Sequence, residues 1–361
     1  MENLKVRMIR NGEEKVVNDL FNEVFSETRT LDEWRWKFKE LPLSHINVVT
    51  VAEIEGNIVG QYANIPLLFK YKDKTVNFAS PVDNFVVSAF RGGMKGIQSL
   101  MFEHQHIAAR DNKVLLGLGF PNRDAYVIGK RVLKYKDMGD IHVIFARLNL
   151  RLGLKNKFPW MPGFLLKIAG CIGSFVYKIF TERKFQNAFS EELKTYEVQS
   201  FDNRFDSLWE KAKVQHEIIG QRDRKYLEWR YNKPGFAYRI FAVERGKELV
   251  GYIVTDIRKE ADGSVVGHIV DLLTDNSEGV DSALIKAALM RFISEKADYA
   301  LCWMLPDKPY YASMKKFGFI EKEAFAPVKA VYFIFDKETI DDSFVRDIKN
   351  WYLTMGDSDT F

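Results

Sequence analysis

Residues 89–100 read AFRGGMKGIQSL, and they follow an apolar run, FVV at Phe85–Val87. Six consecutive positions carry the interest: Arg91, Gly92, Gly93, Met94, Lys95 and Gly96. Glycines let a backbone come close to a ligand and turn through positive φ. A helix that opens just after them points its free N–H groups and the positive end of its dipole at the same place. Two cations, Arg91 and Lys95, complete what an anion needs. The helix is predicted from the spacing of Ile97, Leu100, Met101, His104, Ile107 and Ala108 on one face. Strand, basic glycine loop and amphipathic helix in that order predict a mixed α/β fold whose loop grips phosphate.

That loop has a counterpart. The second half of the chain echoes the first in order: DEWRWKFKELP at Asp32–Pro42 with LEWRYNKPG at Leu227–Gly235, IEGNIVGQY with ERGKELVGYI, and PVDNFVV with IVDLLT. FPNRDAYVIGKRVLKY at Phe120–Tyr135 then matches LPDKPYYASMKKFGF at Leu305–Phe319. The offset drifts smoothly, from 195 at Trp34 and Trp229 to 184 at Tyr135 and Phe319, as short loop deletions would cause. So long a period means two copies of one domain, not a solenoid. Each copy predicts short helices, a hairpin, a further strand bearing Asp83 or Asp271, a helix, and a buried strand. Where the first copy has its basic loop, the second reads TDNSEGVDSAL, with Asp275, Glu278 and Asp281 and no cation. Carboxylates there satisfy the helix dipole themselves and repel a phosphate. The expected organisation is 1–150 as the ligand-binding copy, 151–195 as an apolar helical linker, and 196–361 as a degenerate copy.

A chain of 361 residues accommodates two such domains. Its 53 basic and 49 acidic residues leave a net charge of +4, which gives no ground for expecting a nucleic-acid partner. The two cysteines, Cys171 and Cys302, imply no disulfide framework, and a cytoplasmic setting is expected. The linker stretch FPWMPGFLLKIAGCIGSFVYKIF carries lysines within an apolar, aromatic run. It reads first as a helix packed between the copies. Peripheral contact with a membrane through 160–180 is the sharper alternative, and no transmembrane segment is expected. His104 and His106, two apart on a helix, do not share a face, and no metal site is expected.

The order of elements, with FVVSAFRGGMKGIQSLMFE and the endings RVLKY and KKFGF, resembles the GCN5-related N-acetyltransferase (GNAT) superfamily, in a tandem form joined by a helical linker. The resemblance implies an acyltransferase that moves acetyl from acetyl-CoA to a primary amine, in an amino sugar or another small molecule. A looser likeness to tandem acetyltransferases suggests surface-polysaccharide metabolism. An aminoacyl-tRNA-dependent transferase of Fem-like type and a non-catalytic binding module are the alternatives. The family's Arg/Gln-x-x-Gly-x-Gly/Ala loop, which holds the CoA pyrophosphate, falls on Arg91–Gly96, with Met94 where glycine is expected. By the same resemblance Val86, Val87, Ile97 and Asn122 are cofactor-binding residues, Asn122 holding a strand carbonyl or the pantetheine region. Asp83, on the fourth strand, is the implied general base. The family's acid tyrosine falls on Gly129, with Tyr126 nearby as its substitute. Asp357 and Asp359, near the C-terminus, are further candidates, the plainer reading being a flexible acidic tail.

Overall fold

The computed structural model describes residues 3–46, 49–91, 96–186, 193–321 and 326–361. Gly92, Gly93, Met94 and Lys95 lie outside the described residues. The first half runs β1 (Leu4–Met8), α1 (Glu14–Phe25), α2 (Leu31–Phe38), β2 (Val49–Ile54), β3 (Asn57–Tyr71), β4 (Lys74–Val86), α3 (Ile97–Asp111), β5 (Val114–Gly119), α4 (Arg123–Arg131) and β6 (Lys136–Arg147). Helices α5 (Arg151–Lys157) and α6 (Gly163–Gln186) follow. The second half begins with β7 (Leu193–Glu197), α7 (Asn203–Lys213), β8 (Ile218–Gly220), α8 (Arg224–Tyr231), β9 (Arg239–Arg245), β10 (Glu248–Lys259), β11 (Val265–Thr274) and α9 (Val280–Ser294). It ends with β12 (Tyr299–Met304), α10 (Pro309–Lys316), β13 (Ile320–Glu321), β14 (Val328–Ile334), α11 (Asp342–Arg346) and β15 (Trp351–Tyr352).

One continuous sheet carries both halves, in the order β1-β2-β3-β4-β5-β14-β6-β12-β11-β10-β9-β7. The two outer blocks mirror each other, as the sequence repeat predicts. At the centre the halves exchange strands. β14, from the second half, pairs antiparallel with β5, and β6, from the first half, pairs antiparallel with β12. Strands β14 and β6 then pair with each other across the centre. Each half therefore takes its next ladder from the other.

Local chemistry explains the equivalent helices. α2 opens with a capping box, Thr30 accepting from the Glu33 N–H while Glu33 reaches back to the Thr30 N–H. α8 opens with Asp223 accepting from the Tyr226 N–H. α3 and α9 pack across their sheets at glycines. A Cβ on Gly60 would sit 3.1 Å from the Met101 side chain, and one on Gly251 only 2.8 Å from Val280.

The predicted face of α3 is rotated. Ile97, Met101, Gln105 and Ala109 are buried, whereas Ile107 is 62% exposed. A strict i, i+4 row meets the sheet, and the neighbouring apolar row is left in solvent. In α9 the predicted Leu284, Ala288, Leu289 and Phe292 are all fully buried.

Candidate active site

The site is made by two strands that part. β4 pairs with β5 in parallel only from Asn77 to Ala79, ending opposite Gly117. From Ser80 onward β4 keeps β3 as its neighbour and leaves β5. Pro81, which has no N–H to give a ladder, stands where the strands separate. A bulge follows. Gln61 faces Phe85 and Ala63 faces Val82, so Asp83 and Asn84 together oppose Tyr62. Asp83 has φ +52°, and the bulge is pinned by Gln61 Nε2 donating to the Asp83 carbonyl and by the Ala63 N–H donating to Asn84 Oδ1, both at 2.8 Å.

The parted strands open a cleft of about 1020 Å³. Val86, Arg91, Gly96, Ile97 and Asn122 all line it, with Ser80, Pro81 and Phe85 from β4 and Gly119 at the end of β5. Gly96 is the N-cap of α3, so that helix begins at the cleft wall. Arg91 folds back, its Nε donating 2.8 Å to the Val86 carbonyl. Asn122 caps α4, accepting from the Ala125 N–H at 2.9 Å. Val87 stands just beyond β4, its N–H bonded to the Val59 carbonyl. Five of the expected binding residues thus share one cleft, although they come from a strand, a loop and two helix starts.

The two expected catalytic side chains point elsewhere. Asp83 is held by Lys37 at 2.8 Å and by Arg29, and its side chain is 5% exposed. Its carboxylate ties α2 and the preceding loop to the bulge. Tyr126 donates to Asp137 at 3.0 Å on an exposed face, where Asp137 pushes its hydroxyl pKa up. Neither side chain is among those lining the cleft.

Tyr135 lines it instead. Its ring lies against Gly129, where an added Cβ would come within 2.6 Å of Cδ2. The helix position expected to carry a tyrosine is thus bare, and a ring from six residues later fills the space. The Tyr135 hydroxyl meets the buried Tyr62 hydroxyl at 2.6 Å. Burial pushes the Tyr135 pKa up to about 12, so it stays protonated at neutral pH.

Asp359 lines the cleft as a carboxylate, as does Asp124 at the start of α4. Lys37 bridges Asp359 to Asp83, with Nζ 2.8 Å from both. Burial raises the Asp359 pKa, but the charge and hydrogen bond of Lys37 outweigh this and hold it below the usual carboxylate range. Lys233 donates to the Asp359 carbonyl at 3.2 Å, and burial, with Arg230 and Lys37 nearby, pushes its pKa down to about 7.

The expectation of a flexible acidic tail is overturned. Trp351, Tyr352, Leu353 and Met355 are at most 3% exposed, and Asp357 and Ser358 are buried. The segment packs along the equivalent opening in the second half, where β11 leaves β12 beyond Ile269 and Cys302. Tyr352 donates to the Leu272 carbonyl, and the Phe361 ring stands 5.5 Å from that of Trp303. Arg222 joins Asp271 at 3.2 Å and Asp357 at 2.8 Å in the interior. The α9 start is likewise self-satisfied, Asp281 accepting from the Ser282 N–H and from the Ser313 hydroxyl. Sequence reasoning missed Tyr135, and it offered Asp357 and Asp359 as further candidates while taking the tail that carries them as flexible. The one available signal was the apolar WYL at Trp351–Leu353, a poor composition for a solvated end.

A sheet that parts beside a helix start, with a cleft running between the strands, defines a GNAT-fold protein. Residues 5–129 match the family model described as "Acetyltransferase (GNAT) domain". Among curated proteins none matches this sequence. Among solved structures, the chain is similar to a probable N-acyltransferase from Enterococcus faecalis V583, at TM-score 0.63 and 14% identity, over 92% of this chain and 73% of that one. A GCN5-related N-acetyltransferase from Kribbella flavida gives TM-score 0.63 at 12% identity, over 92% and 71%. Saccharomyces cerevisiae N-myristoyltransferase with bound myristoyl-CoA gives 0.56 at 12%, over 92% and 83%. At such identities these likenesses establish the fold.

Proposed function

We propose that this chain is an acyl-CoA-dependent N-acyltransferase, moving acetyl from acetyl-CoA to the primary amine of an amino sugar or another small molecule in the cytoplasm. The observation that carries the reading is the cleft itself. It brings the start of α3, the unpaired edge of β4, a protonated tyrosine and an ionised carboxylate into one space.

Pantetheine amides would pair with β4 where it has left β5, replacing the missing ladder. The pyrophosphate would meet the N–H groups at the start of α3, with Arg91 beside them. Asp359, ionised and fixed by Lys37, would accept the proton of the attacking amine. The amine nitrogen then bonds to the thioester carbonyl carbon. The C–S bond breaks, and the leaving sulfur takes its proton from the Tyr135 hydroxyl, which Tyr62 positions.

Calorimetry with acetyl-CoA tests binding, and thiol release with a panel of amino sugars tests transfer. Binding that weakens about tenfold or more in Arg91→Ala supports the reading, a charge-assisted contact to phosphate being lost. Absence of binding at millimolar ligand would overturn it. Myristoyl-CoA as a parallel donor separates a short acyl site from a long one.

A further inference from the structure

The function proposed above leaves the longest helix unexplained. Gly163–Arg183, within α6, is long and apolar enough to cross a membrane by length and composition, yet almost none of it is buried. Phe164, Ile168, Ile172, Phe175 and Val176 recur at three- and four-residue steps, so they share one face. All are more than half exposed, and Trp160 just before the helix is 77% exposed. So large a contiguous apolar surface marks an interaction site.

The helix is not free to span a bilayer. Its opposite face is fastened to the protein. Tyr177 donates to the Phe317 carbonyl, and Gly173 lies so close to Leu150 that a Cβ would meet its backbone nitrogen at 2.9 Å. α5, just before it, is held by Arg151 on Asp298 at 2.5 Å. A helix bound along one side and bare along the other presents a flat apolar surface.

Charge identifies what covers it. From Arg151 to Thr181 the chain contains no Asp or Glu. Lys155, Lys157, Lys167 and Lys178 are all exposed there. On the helix Lys167 and Lys178 lie eleven residues apart, three turns, and border the apolar face on one side. Glu182, 4.0 Å from Lys178, stands beyond this stretch. Apolar rings edged by cations, with a tryptophan at the margin, match the polarity profile of an anionic lipid surface.

We propose that α6 seats the protein flat on a membrane rich in anionic lipid, with Trp160, Phe164, Ile172 and Phe175 in the acyl–headgroup boundary and the lysines at the phosphates.

Sedimentation of the full chain with phosphatidylcholine vesicles, with and without about one-third phosphatidylglycerol, tests this. The expected result is binding to the anionic vesicles that falls about tenfold or more on neutral ones and weakens with added salt. Phe164→Ser with Ile172→Ser and Phe175→Ser abolishes it without changing the thermal unfolding midpoint, because these side chains are solvent-exposed. Lys167→Gln with Lys178→Gln lowers binding to anionic vesicles while leaving weak binding to neutral ones. No sedimentation of a folded chain would overturn the proposal. So would light scattering that shows a dimer which Ile172→Glu converts to monomer, since a second copy would then cover the face.

Discussion

Trp36 and Trp229 exchange hydrogen bonds across the pseudo-symmetric centre of the molecule. Each indole N–H donates to the other's main-chain carbonyl, at 2.7 and 2.9 Å, and the rings stack with centroids 5.2 Å apart. The two residues hold matching places on α2 and α8, and the same offset relates Arg29 to Arg222 and Lys37 to Arg230. The pairing expected from sequence, Trp34 with Trp229, is thus two residues out of register. Trp34 is fully buried beneath α2 against the rest of the first-half core.

Trp36→Ala removes a large buried side chain and leaves the Trp229 carbonyl without its indole donor. It should destabilise the protein by roughly 3–5 kcal/mol, read from urea midpoints at constant slope. Trp36→Phe keeps much of the stacking and loses one bond, for about 1–3 kcal/mol.

Strand exchange predicts that the halves depend on each other. A fragment of residues 1–150 lacks β12, β13 and β14, leaving the outer edge of β5 and both sides of β6 unpaired. It should show no cooperative thermal transition when expressed alone. Co-expression with the remaining residues should restore a single transition, and cooperative unfolding of the lone fragment would contradict the shared sheet.

Gly129→Ala places a methyl within 2.6 Å of the Tyr135 ring and must shift it. If Tyr135 protonates the leaving thiolate, this variant and Tyr135→Phe should both lower kcat, by about 10²–10⁴ for the latter. Acyl-CoA affinity by calorimetry should stay within a few fold. Tyr126→Phe, altered away from the cleft, should leave kcat nearly unchanged.

Two buried histidines predict acid sensitivity. Burial, with nearby cations, pushes the pKa of His216 down to about 3, and burial with Arg258 pushes that of His268 down to about 4. Both are lowered in the folded state, so the unfolded chain binds more protons below its ordinary value near 6.5. Stability from this source is complete above about pH 6.5 and is lost as pH falls toward 4. The loss at pH 4 should amount to a few kcal/mol in all. His268→Leu should flatten the slope of unfolding free energy between pH 6 and 4, roughly by one proton's worth.

Strand β4 and helix α3 were legible from residues 85–100, and the matching order of elements in the two halves from their echo, because apolar runs and helical period are local properties. Val86, Arg91, Gly96, Ile97 and Asn122, which the family resemblance offered, line the cleft. The roles of Asp83 and Tyr126 were not legible. Asp83 meets Arg29 and Lys37, which are 54 and 46 residues away in the chain. Tyr135 reaches the place of Gly129 only because the turn after α4 folds its ring back.

Sequence alone determined helix or strand where periodicity, caps and glycines mark it, as at α3 and α9, since these act over a few residues. Tertiary structure decided which half completes which sheet, where the last eleven residues lie, and which carboxylate and tyrosine face the cleft. Those outcomes rest on contacts between residues far apart in the chain. Lys37 meeting Asp359 across 322 positions is the clearest of them. Burial and ion pairing, which settle such contacts, depend on all the surfaces that meet there and leave no mark at fixed spacing in the sequence.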